Sequence, residues 1–169
     1  MPEYITMEGM QRLQEKIRSL NLERPLVIEQ VQTARAMGDL AENAEYHAAK
    51  EKQRNIDNEL SNLNQRLSIL KVLDPTTMAK DSIRFGAYVK ISEKGSKKKL
   101  TYHLVGPDEV YDRDDKIIQV SYVSPLGKAM IGKKINEEFQ VEIFHEKKKN
   151  EKGEPLKVKE IVYKVLEIK

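Results

Sequence analysis

The chain has no cysteine and no tryptophan, only three phenylalanines, and no apolar run near the ~18 residues of a membrane span. Without thiols, disulfide scaffolds, thiolate zinc sites and cysteine nucleophiles are excluded. A reducing cytoplasm is the expected setting. The N-terminus, MPEYITMEGM, has no basic segment followed by an apolar stretch, so no signal peptide is read there. Neither sign of charge is in large excess: the net charge of +3 is too small to mark a nucleic-acid binder by itself. The charge is unevenly spread, however. Residues 1–75 carry 10 Lys+Arg against 12 Asp+Glu, and residues 76–169 carry 20 against 15, so the halves present different faces to a partner.

What is present is mostly period. Residues 6–71 read as two helices. A heptad with Met10, Ile17, Arg24 and Val31 at a and Leu13, Leu20, Val27 and Ala34 at d has one polar member, Arg24. Thr6 is a plausible N-cap. Pro25 falls inside the pattern and is expected to kink or interrupt the helix near Arg24. The second helix repeats the spacing through Tyr46, Ala49, Gln53, Ile56, Leu60, Leu63, Leu67 and Leu70, and Asp74-Pro75 ends it. The short connection makes the helices antiparallel neighbours. The product is a coiled-coil hairpin, a rod of roughly 45 Å with its tip at residues 38–43.

From about residue 80 the period becomes two. Segments 86–92, 99–105, 116–123, 138–144 and 158–168 read as strands, and 124–132 as one short helix. The charged runs 93–99 and 146–155 read as solvated hairpin loops. The fold class is α+β: a hairpin over 1–75, a linker over 76–82, and a small, mostly antiparallel sheet domain over 83–169.

The tip, GDLAENAEYHAAK (38–50), carries Asp39 and Glu42 three residues apart. One reading is a capping box, Asp39 at the N-cap and Glu42 at N3, both favoured by the helix dipole. The other is a pair of hard oxygen ligands at the end of a rod. Such a pair suits Mg²⁺, with the remaining ligands supplied by a partner. His47 beside Glu51 is an ordinary i,i+4 contact rather than a metal site, since no HExxH spacing exists. Tyr46 reads as a packing residue near the tip, with stacking on RNA the alternative. Lys97 to Lys99 and Lys147 to Lys149 read as soluble loop surface.

The segment ARAMGDLAENAEYHAAKEKQ (34–53) resembles the signature of the GreA/GreB family of bacterial transcript cleavage factors, with GreA the nearer branch. FGAYVKI (85–91), YHLVGPDEVY (102–111) and VSPLGKAMIGKK (123–134) fall where that family has its other motifs. The resemblance covers nearly the whole chain in order. It implies an FKBP-like second domain and a factor that is not itself an enzyme. In that family the hairpin enters the secondary channel of RNA polymerase, and the acidic tip reaches the backtracked 3′ end of the nascent RNA. Asp39 and Glu42 would share a Mg²⁺ with the polymerase active site, and the free protein would hold none stably. Arg35, Asn43, Tyr46 and Lys50 match the supporting tip positions. Ser124, Pro125, Leu126, Lys128 and Met130 lie in the segment expected to dock on the polymerase, although Leu126, Met130 and Ile131 read equally well as core. No membrane partner is expected. Competing classes are a prolyl isomerase, which needs an aromatic-lined pocket, a generic coiled-coil adaptor, and a channel-plugging inhibitor, which would carry a more acidic tip.

Overall fold

Heptad spacing puts Leu13, Leu20, Val27 and Ala34 on one line of a helix, and these are the four residues that α1 (Met7–Ala36) buries. The structure, a computed structural model, describes residues 3–38, 43–110, 116–149, 153 and 155–169. The chain divides into two units, Met1–Glu3 with Met7–Val72, and Tyr4–Thr6 with Leu73–Lys169. Element order is β1 (Glu3–Ile5), α1, α2 (Ala44–Ile69), β2 (Leu70–Val72), β3 (Tyr88–Glu93), β4 (Lys99–Val105), β5 (Ile117–Ser121), α3 (Pro125–Met130), β6 (Glu138–Lys149) and β7 (Pro155–Ile168).

In the first unit, Leu20 and Val27 of α1 pack with Ile56 and Leu60 of α2. The flanking ion pairs fix the direction. Lys16 meets Glu59 at 2.5 Å and Glu23 meets Lys52 at 2.7 Å, so seven residues forward on α1 are seven residues back on α2. That is one heptad on each helix, as an antiparallel coiled coil requires. Arg24, the polar member of the seam, is half-buried and directs its guanidinium to Asp57 at 2.6 Å. Pro25 does not interrupt the helix. It offers no N–H to the Asn21 carbonyl, yet α1 runs unbroken through it. The seam on either side, Leu20 and Val27, is packed on the same partner helix, and that burial outweighs one lost hydrogen bond.

The second unit is a five-stranded sheet in the order β5-β4-β3-β7-β6, with β4 and β5 parallel and the other pairs antiparallel. Alternation does what the sequence period requires: Val89 and Ile91 of β3 are fully buried, while Tyr88 and Lys90 are exposed. Tyr102, Leu104, Val120 and Val165 join them, and Met130 of α3 closes the core. Strand β4 has the bounds read from sequence. The charged run 146–155 does not. β6 continues to Lys149, which stands opposite Pro155 at the start of β7. A ladder of backbone hydrogen bonds can be carried by charged residues as well as apolar ones, because the bonding groups are main-chain. Exposed cross-strand charges reinforce the ladder nearer the core. Lys157 donates to Glu142 at 2.5 Å and to Glu160 at 2.7 Å, and these bonds hold its ammonium above the ordinary lysine range.

Thr6, the residue just before α1, is buried, and its hydroxyl donates to the carboxylate of Glu109. The same carboxylate accepts from the Thr6 backbone N–H at 3.1 Å and the Gly106 N–H at 2.9 Å. A buried acid is thus met by three donors, the arrangement that makes such burial tolerable.

Three outcomes are expected in urea unfolding followed by circular dichroism. Leu20→Ala costs about 2–5 kcal/mol through its cavity, whereas Asp57→Asn, which breaks a largely solvated pair, costs under about 1 kcal/mol. Glu109→Gln turns one oxygen acceptor into a donor among donors and costs about 1–3 kcal/mol.

Candidate functional site at the hairpin tip and the short helix

The last turn of α1 closes with the Met37 N–H donating to the Ala34 carbonyl at 3.2 Å. Gly38 follows with a φ of 150°, a conformation that side chains disfavour. α2 then begins at Ala44, and its N-cap is Asn43. The Asn43 backbone is extended, and its Oδ1 accepts from the Tyr46 N–H at 3.0 Å. Asp39 and Glu42 lie outside the described residues. The capping box expected on them lies outside the described residues as well, and the N-cap that the structure gives α2 is Asn43. Asn43 caps as well as an aspartate would, and its amide adds a donor: Nδ2 reaches the Ala34 carbonyl at 2.7 Å. One side chain ties the end of α1 to the start of α2.

The other predicted tip residues surround this tie. Arg35 is exposed in the last turn of α1. Lys50 is exposed and donates to Gln53 Oε1 at 3.4 Å. Tyr46 is half-buried, its ring edge-on to His47 with centroids 5.6 Å apart. Among the described residues no group of three His, Asp or Glu converges in a way that would hold a metal ion.

The second predicted cluster is the segment around α3. Ser124 caps the helix: its hydroxyl accepts from the Gly127 N–H at 3.0 Å and donates to the Ser121 carbonyl at 2.7 Å. Gly127 packs so tightly that a Cβ there would sit 2.1 Å from the Ser121 carbonyl oxygen. Met130 is fully buried in the core, which removes it from the predicted docking residues. Its spacing explains why: Gly127 and Met130 are three apart on the inner face of a one-and-a-half-turn helix. Pro125, Lys128 and Ile131, offset by one, are exposed. Leu126 is half-buried against the core.

A cavity of about 520 Å³ on the second unit is lined by Lys94, Ala129, Lys133, Glu138, Phe139, Gln140 and Val162. Phe139 is the only aromatic in that lining, unlike the aromatic wall a prolyl isomerase needs. No helix among the described residues is long and apolar enough to cross a membrane.

Sequence reasoning missed two residues. Asn43 stands directly before the helical AEYHAAK pattern, where the N-cap rule would have found it, but the acid pair at Asp39 and Glu42 matched the same rule earlier in the chain. Glu109 carried a local signal, since it stands three residues after Gly106 and its carboxylate accepts that N–H at 2.9 Å as in a capping box, but its bonds to Thr6, 103 residues away, had none.

The chain is thus a helical hairpin with an acidic connecting segment, followed in sequence by a five-stranded sheet with one short helix. Two family models match it in order. "Transcription elongation factor, N-terminal" spans residues 3–72, and "Transcription elongation factor, GreA/GreB, C-term" spans residues 78–169. The chain belongs to the GreA/GreB family of transcription elongation factors. It is 43% identical over 136 residues to transcription elongation factor GreA of Novosphingobium aromaticivorans, covering 80% of this chain and 84% of that one. It is 41% identical over 138 residues to transcription elongation factor GreA of Thermodesulfovibrio yellowstonii, covering 81% and 85%.

The burial pattern around α3 is directly testable. Met130→Ala should cost about 2–5 kcal/mol in a denaturant titration, while Lys128→Glu should leave stability within about 0.5 kcal/mol.

Proposed function

We propose that the chain binds RNA polymerase, passes its helical hairpin through the secondary channel, and stimulates the polymerase's own cleavage of backtracked nascent RNA. The observation that carries this is the acid pair, Asp39 and Glu42, in the connection between a 30-residue and a 26-residue helix. α1 alone rises about 45 Å, so the hairpin has the reach to place a short acidic segment deep in another protein.

The donor chemistry suits Mg²⁺. Asp39 and Glu42 offer hard carboxylate oxygens, and two such ligands are what a protein usually gives this ion when substrate phosphate and other groups complete the shell. When bound, the ion supplies charge neutralisation at the phosphate being cut. The chain's own part is delivery. The seam keeps the two helices together, Asn43 caps the second, and exposed Arg35 and Lys50 bring positive charge near an RNA phosphate. Ser124 holds α3 in place by its cap, which leaves Pro125, Lys128 and the edge of Leu126, with Ile131, to meet the polymerase surface.

The test is RNA cleavage in a stalled, backtracked transcription complex. Wild-type protein should stimulate cleavage only with polymerase and Mg²⁺ present. The Asp39→Asn/Glu42→Gln double variant should lose about 100-fold or more while still binding polymerase. Because Asn43 caps α2, the swap should leave hairpin stability within about 0.5 kcal/mol. Equal cleavage by both proteins would remove the acids from the chemistry. Slowed elongation without cleavage would make the chain a channel-plugging inhibitor.

A further inference from the structure

Asn43 matches a position expected to touch RNA or polymerase, but its side chain is already engaged within the chain. Oδ1 accepts from the Tyr46 N–H at 3.0 Å, and Nδ2 donates to the Ala34 carbonyl at 2.7 Å. That carbonyl also accepts from the Met37 N–H at 3.2 Å. One amide therefore joins the last turn of α1 to the first turn of α2, on either side of residues 39–42.

We infer that Asn43 is a positioning residue: its amide clasps the two helix ends and so sets where Asp39 and Glu42 are presented, without itself contacting RNA. This rests on the proposed role of those two acids. The chemistry of the clasp is specific. It needs an acceptor for the α2 cap and a donor for the α1 carbonyl on one short side chain, and asparagine is the residue that carries both at this length. Aspartate caps equally well but aims an acceptor at the Ala34 carbonyl. Serine caps but is too short to reach it.

Asn43→Asp and Asn43→Ser separate the two halves of the role. Both should fold with the helical content of the wild type. In the free protein, hydrogen exchange of the Met37 amide should speed up by roughly fivefold to tenfold, the equivalent of one hydrogen bond. In backtracked complexes at saturating factor, the Mg²⁺ concentration for half-maximal cleavage should rise about tenfold, as when the outer support of a metal ligand is lost, with polymerase affinity unchanged. Wild-type exchange and a wild-type Mg²⁺ midpoint in Asn43→Asp would overturn the clasp. So would lost cleavage with unchanged exchange, because Asn43 would then act by direct contact. If the wild-type protein itself stimulates no cleavage, the proposed function falls, and the exchange measurement still decides whether the clasp exists.

Discussion

The hairpin depends on a narrow apolar seam between its two helices. Isolated helices, even long ones, gain little stability from propensity alone in water, and α1 and α2 carry charge on most of their surfaces. Leu13, Leu20, Val27 and Ala34 on α1, with Ile56 and Leu60 on α2, are the buried line against which that exposure is balanced. The described tip residues Arg35, Tyr46 and Lys50 sit on the helices that this line holds together. The ion pairs of Lys16 with Glu59 and Glu23 with Lys52 are solvated and add little energy. Their contribution is register, since a slip of one heptad would set those charges against other neighbours.

Two features that read as faults in the seam become consistent once the partner helix is in place. Arg24 occupies a core position, but its long stem can lie along the seam while its guanidinium reaches Asp57 at 2.6 Å. Pro25 breaks a rule of isolated helices, and tertiary packing on both sides overrides it. Local propensity weighs less here than the burial it interrupts.

Where the sequence was legible, the signal was periodic and the burial one-sided. The d positions of α1, the alternation of β3 and the bounds of β4 all followed from spacing. Where it was not, the deciding partner was distant or two rules competed. The charged strand ends after Phe144 carry no apolar alternation, yet β6 continues because its hydrogen-bonding partner β7 does. The Thr6–Glu109 contact joins residues 103 apart. Met130 is one of three apolar residues in a short helix, and only the direction in which the cap at Ser124 starts that helix decides which of them faces inward. At the tip two candidates fit the capping rule, Asp39 with Glu42 and Asn43, and the one that caps α2 is Asn43, four residues after Asp39.

The cap at Asn43 has a physical consequence. A carboxylate that caps a helix is committed to backbone N–H groups, and any metal must compete with them for its oxygens. A dedicated cap removes the competition. Asn43 supplies it at the tip, as Ser124 supplies it at α3. In both places a neutral side chain satisfies the helix end, and the neighbouring residues, Asp39 and Glu42 in one case and Pro125 and Lys128 in the other, are not needed for that purpose. A factor that works by presenting a few groups to a larger enzyme gains from this division. Under the proposed function, the groups that hold the backbone are then different from the groups that are offered, so substitution of the second kind is expected to change activity while leaving the helices intact.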